Sequence, residues 1–71
     1  MNAKEWIADF AGRLGVDAPT PAEFAKLLDL AGEAAHASER VAAPVACWVA
    51  AQAGRTPDEA LRVAREIGSG G

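Results

Sequence analysis

Apolar positions recur along this chain with helical spacing, interrupted by short stretches of Pro, Gly and capping residues. Trp6, Phe10 and Leu14 repeat at i, i+4 and i+8, and Ile7 and Ala11 widen the stripe. That period marks an amphipathic helix. Asn2 stands in an N-cap position with Glu5 at N3, and Gly15 stands where a helix of this register stops. The pattern predicts a first helix over about Ala3–Leu14, then a short loop, Val16–Pro19.

Two later segments open with the same chemistry. Thr20-Pro21-Ala22-Glu23 and Thr56-Pro57-Asp58-Glu59 both read as capping boxes. In each, Thr accepts from the N3 amide, Glu reaches back to the N-cap amide, and Pro at N1 surrenders a donor that would be orphaned anyway. Each box is expected to stabilise its helix by about 1 kcal/mol. The second helix is expected to start after Thr20 and reach about Glu39 or Arg40. Its apolar face is Phe24, Leu27, Leu28, Ala31, Ala34 and Ala35. Gly32 falls mid-helix, a position that would suit close approach of a neighbouring helix.

Pro44 disfavours helix at Ala43, so the third helix is expected from Pro44 to about Ala53. Gln52 is its only polar side chain, and a helix apolar all round is buried or faces a partner. We expect it to be the most buried of the four. Gly54 ends it. The fourth helix, about Pro57–Ile67, turns Ala60, Leu61, Ala64 and Ile67 inward with Val63 at the edge, and Asp58/Arg62 and Arg62/Glu66 are spaced for exposed ion pairs. No segment carries a strand pattern. The expected fold is all-α, a compact bundle of four short helices in one domain over residues 1–67, with Gly68-Ser69-Gly70-Gly71 as a disordered tail.

Size and charge narrow the function. With 71 residues there is room for one small core of marginal stability. A net charge of -3 argues against nucleic-acid binding, which needs a basic face. The longest apolar run, Val41–Ala51, is interrupted by Pro44 and is too short for a membrane span. The start of the chain is polar rather than a signal sequence. A lone Cys47 fits a reducing, cytoplasmic setting. One Cys and one His cannot close a zinc site, and no cofactor or metal is expected.

One polar constellation stands out. Asp29, Glu33, His36 and Arg40 follow steps of four, three and four. At about 100° per residue they share a sector of roughly 60° on the second helix. Histidine beside a carboxylate is general-base chemistry, but Ser38 lies on the far side of the helix and Cys47 in the apolar segment, so nothing completes a catalytic site. A solvated ion-pair ladder is the plainer reading, and a partner or ligand surface the alternative. Cys47 has no charged neighbour to activate it and reads as a buried, inert thiol. Trp6 and Trp48 read as core fillers, although Trp on an all-apolar helix also suits an interface.

Leu28-Asp29-Leu30-Ala31, Ala35-His36, Arg40 and Ala42-Ala43-Pro44 followed by an apolar helix resemble a family of small bacterial helical domains of unknown function. Its members occur alone or appended to the molybdenum cofactor guanylyltransferase that makes molybdopterin-guanine dinucleotide. The resemblance covers nearly the whole chain, and Asp29, His36, Arg40 and Pro44 match its motif. Val41 stands where the family commonly has Pro, and Val45-Ala46-Cys47 where it often has Leu-Thr-Thr. The resemblance implies an accessory role in molybdenum cofactor maturation without importing a mechanism. The expected function is therefore a non-catalytic interaction module that binds a partner, the guanylyltransferase foremost, through Asp29, Glu33, His36 and Arg40 with Trp48. A self-associating homodimer and a small-ligand or anion carrier are the alternatives.

Overall fold

The computed structural model describes residues 1–68. It holds four helices: α1 (Ala3–Leu14), α2 (Pro21–Ala37), α3 (Ala42–Gln52) and α4 (Pro57–Gly68). No strand occurs among the described residues. The fold is all-α, a small four-helix bundle measuring 39 × 23 × 18 Å.

The predicted caps form. Asn2 Oδ1 accepts from Glu5 N at 2.8 Å, and Gly15 closes α1 in the left-handed region at φ 76°. In the first box Thr20 N donates to Glu23 Oε1 at 2.8 Å and Glu23 N donates to Thr20 Oγ1 at 3.1 Å. The second repeats the pattern between Thr56 and Glu59 at 3.1 and 3.2 Å.

The α2–α3 junction departs from expectation. α2 stops at Ala37, short of Glu39, because Ser38 leaves helical geometry (φ -138°, ψ -97°) while its hydroxyl donates to the Ala34 carbonyl at 2.8 Å. Such back-bonding competes with the helical ladder. α3 in turn starts at Ala42 rather than Pro44. Ala42 N and Ala43 N donate to the Glu39 and Arg40 carbonyls at 2.9 and 3.2 Å, so a tight turn feeds straight into the helix. Pro44 is then the third residue of α3, still in the first turn, where an N–H has no intrahelical acceptor and its loss costs nothing. At the other end Gly68 belongs to α4; the tail expected after it lies outside the described residues.

α2 is the hub. It packs against both α3 and α4, which make little contact with each other. Among the described residues the buried ones are Leu30 of α2, Leu61 of α4 and Ala11 of α1. Leu30 sits between the two flanking helices, whereas Leu28, on the expected apolar face, is exposed. No atom outside the helix's own backbone comes within 4 Å of a Cβ built on Gly32, so no helix uses it for close approach. Lys26 Nζ meets Asp58 Oδ1 at 3.5 Å, tying α2 to α4, and Asp58 also meets Arg62 at 3.9 Å.

Two apolar faces are turned outward rather than inward. α1 lies against the start of α2, with Lys4 over the Phe24 ring and Ile7 and Ala11 facing the body, so Trp6, Phe10 and Leu14 remain exposed. α3, expected to be the most buried helix, has no buried residue. With only α2 beside it, much of its surface has no covering layer. Ile67, expected inside, is likewise exposed at the end of α4.

Candidate interaction surface

The polar stripe is only partly assembled. Asp29 and His36 are exposed on α2, and Glu33 between them is half-buried. Arg40 is not on this helix at all, since α2 ends before it. It stands exposed in the turn to α3, and its carbonyl accepts from Ala43 N. Among the described residues no ion pair or hydrogen bond joins the side chains of the four. A ladder of salt bridges is therefore not what the stripe builds.

Trp48 takes its place from the register of α3. Val45, Ala46, Val49, Ala50 and Ala53 line a groove between α3 and α4, and the Cys47 thiol turns to the Leu27 carbonyl of α2 at 4.0 Å. Trp48 occupies the remaining, outward side, with 64% of its surface exposed. Neither Trp48 nor Trp6 is the core filler that its residue type suggests.

Trp48 has neighbours that residue type alone does not flag. Val41, Val45 and Trp48 are spaced i, i+4 and i+7, and all three are exposed. Val41 already has helical backbone angles (φ -67°, ψ -17°), so the three share one side of α3. The spacing is present in the sequence, but uniform apolarity hides it: every face of this segment looks like a core face. Arg40 immediately precedes this stripe, and His36 lies in the last turn of α2 just before it. Along the chain, the α2–α3 corner thus carries His36 and Arg40 just before an apolar stripe that ends in an exposed indole. Asp29 and Glu33 lie farther back along α2 and belong to a separate polar flank.

The other titratable features are structural. Burial raises the Cys47 thiol above its ordinary range, which suppresses the thiolate. The Thr56 backbone hydrogen bond, then its side-chain bond, hold Glu59 below the usual glutamate range. Among the described residues no three His, Cys, Asp or Glu side chains group as a metal-binding set, and no helix is long and apolar enough to cross a membrane.

Residues 1–69 match the model of a protein family described as a domain of unknown function, DUF6457. The chain belongs to this family. The match spans all four helices. No curated protein and no solved structure matches the chain.

Proposed function

We propose that this DUF6457 domain is a non-catalytic docking module that binds a protein partner through the α2–α3 corner. One observation carries the reading: α3, the most apolar helix, buries none of its residues and presents Val41, Val45 and Trp48 to solvent. Exposed apolar patches rimmed by polar residues mark interaction sites. Trp and Arg are the residues most enriched where binding energy concentrates, and here Arg40 adjoins the Trp48 stripe. The partner would cover the stripe and pair a carboxylate with Arg40. His36 would donate or accept at the rim. Asp29 and Glu33 supply an acidic flank that selects orientation.

The partner we favour is a molybdenum cofactor guanylyltransferase. The support is the resemblance of Leu28-Asp29-Leu30-Ala31, His36, Arg40 and Ala42-Ala43-Pro44 to bacterial domains appended to that enzyme. The test is the affinity of the double variant Trp48→Ser, Arg40→Ala for the guanylyltransferase. Both side chains are exposed, so the helical circular dichroism should persist while affinity falls more than about tenfold. Unchanged affinity would remove this corner as the docking surface.

A further inference from the structure

The groove between α3 and α4 and the outer stripe of α1 are two further apolar surfaces; the groove meets the α2–α3 corner only at its Val45 edge. The groove encloses about 490 Å³. Leu30 is at its base, and Val49, Val63 and Ile67 stand exposed along its sides. It exists because α3 and α4 each pack on α2 without meeting along their lengths. The stripe is Trp6, Phe10 and Leu14 at i, i+4 and i+8 on a helix of 12 residues. Trp6 and Phe10 stack at 5.0 Å between ring centroids, so they present one rigid aromatic ridge. Within the chain the two surfaces do not meet, since no α1 residue lines the groove.

We infer that the groove receives the α1 ridge of a second copy of this chain, in a two-fold dimer where each copy gives its ridge and accepts its partner's. A ridge on one surface and a groove on another satisfy two-fold symmetry when both contacts are made at once. The area reaches the lower bound. With about 150–250 Å² for each aromatic side chain and less for Leu, Val and Ile, full cover of the exposed fractions of Trp6, Phe10, Leu14, Val49, Val63 and Ile67 amounts to roughly 600 Å² per chain. One side of a standard stable interface is about 600–1,000 Å². The contact also meets the chain's central weakness: among the described residues Leu30, Leu61 and Ala11 are the buried apolar ones, and oligomerisation is one of the ways a chain this small supplements its core. α1 keeps Lys4 over the Phe24 ring of its own α2, and only its outer face is used.

The inference does not rest on the docking function proposed above, and its test reads different residues. Sedimentation of the full chain at micromolar concentration should give twice the 7.3 kDa monomer mass. Phe10→Glu on the ridge and Val63→Glu in the groove should each return the monomer with helical circular dichroism retained, because both side chains are about half exposed. A wild-type chain that sediments as a monomer overturns the inference. So does a dimer that survives both substitutions. Should either variant lose its helicity, isotope-filtered NOEs on unmodified protein decide. Cross-chain NOEs from Trp6 and Phe10 ring protons to Val49, Val63 and Ile67 methyls are expected, and a dimer lacking them contradicts the assignment. Loss of guanylyltransferase binding by the Trp48/Arg40 variant would leave this result untouched, and the reverse also holds.

Discussion

Trp6 and Phe10 stack at 5.0 Å with their rings 27° from parallel, yet about half of each side chain faces solvent. In a bundle of this size such a pair would ordinarily anchor the core. Here the anchors are Leu30 and Leu61, 3% and 1% exposed. The division predicts unequal costs. Leu61→Ala should lower unfolding stability by about 2–5 kcal/mol, as deletion of a buried leucine does. Phe10→Ala, measured where the chain is monomeric, should cost under about 1.5 kcal/mol, since it forfeits little beyond the ring pair. Urea unfolding followed by circular dichroism compares the two.

Gly32 offers a stabilising change. It lies inside α2, and a Cβ there meets nothing within 4 Å. Gly32→Ala should therefore add about 0.5–1 kcal/mol of stability by helix propensity alone. A loss of stability on thermal or urea unfolding would mean that α2 is approached more closely at this position than the fold described.

The Thr56/Glu59 box predicts a pH dependence with a definite sign. Glu59 titrates below the usual glutamate range because Thr56 N donates to its carboxylate, with the Thr56 hydroxyl adding a second bond. A carboxyl whose folded value is depressed contributes stability above its unfolded value and loses it as pH falls through the folded one. Stability from the box should therefore decline on acidification below the ordinary glutamate range. NMR titration of the Glu59 side-chain carboxyl should show a low midpoint. Thr56→Val removes the hydroxyl donor and should raise it. An identical midpoint in the variant would deny the hydroxyl any part.

Cys47 should react slowly. Its thiol is raised by burial and faces the Leu27 carbonyl, so little thiolate is present at neutral pH. Alkylation by iodoacetamide should lag behind a free-cysteine peptide and accelerate to the peptide's rate in denaturant. Equal rates without denaturant would mean that α3 leaves α2 readily.

Elements fixed by local chemistry are legible in this chain. Asn2, Thr20 and Thr56 with their N3 glutamates mark three helix starts, and Gly15 and Gly54 adopt the left-handed backbone that stops need. Periodicity finds every helix but does not say which apolar face is covered. Trp6, Phe10 and Leu14 carry the stronger periodic signal on α1, yet Ile7 and Ala11 face the body. Leu30 lies off the expected stripe of α2 and becomes its most buried residue, because α2 is flanked on two sides. The uniform apolarity of α3 reads as burial when it marks exposure. The polar site shows the same limit. Asp29, Glu33 and His36 keep their helical relation, but Arg40 leaves it where Ser38 turns its hydroxyl to Ala34. Arg40 then falls in the turn that leads into the Trp48 stripe.

Docking through the α2–α3 corner is tested residue by residue by an NMR titration of isotope-labelled chain with the guanylyltransferase. Shift changes are expected at the amides of His36, Arg40, Val41 and Val45 and at the Trp48 indole, with Asp29 and Glu33 at the margin. Shifts that bypass these residues, or none at partner concentrations of tens of micromolar, would contradict it.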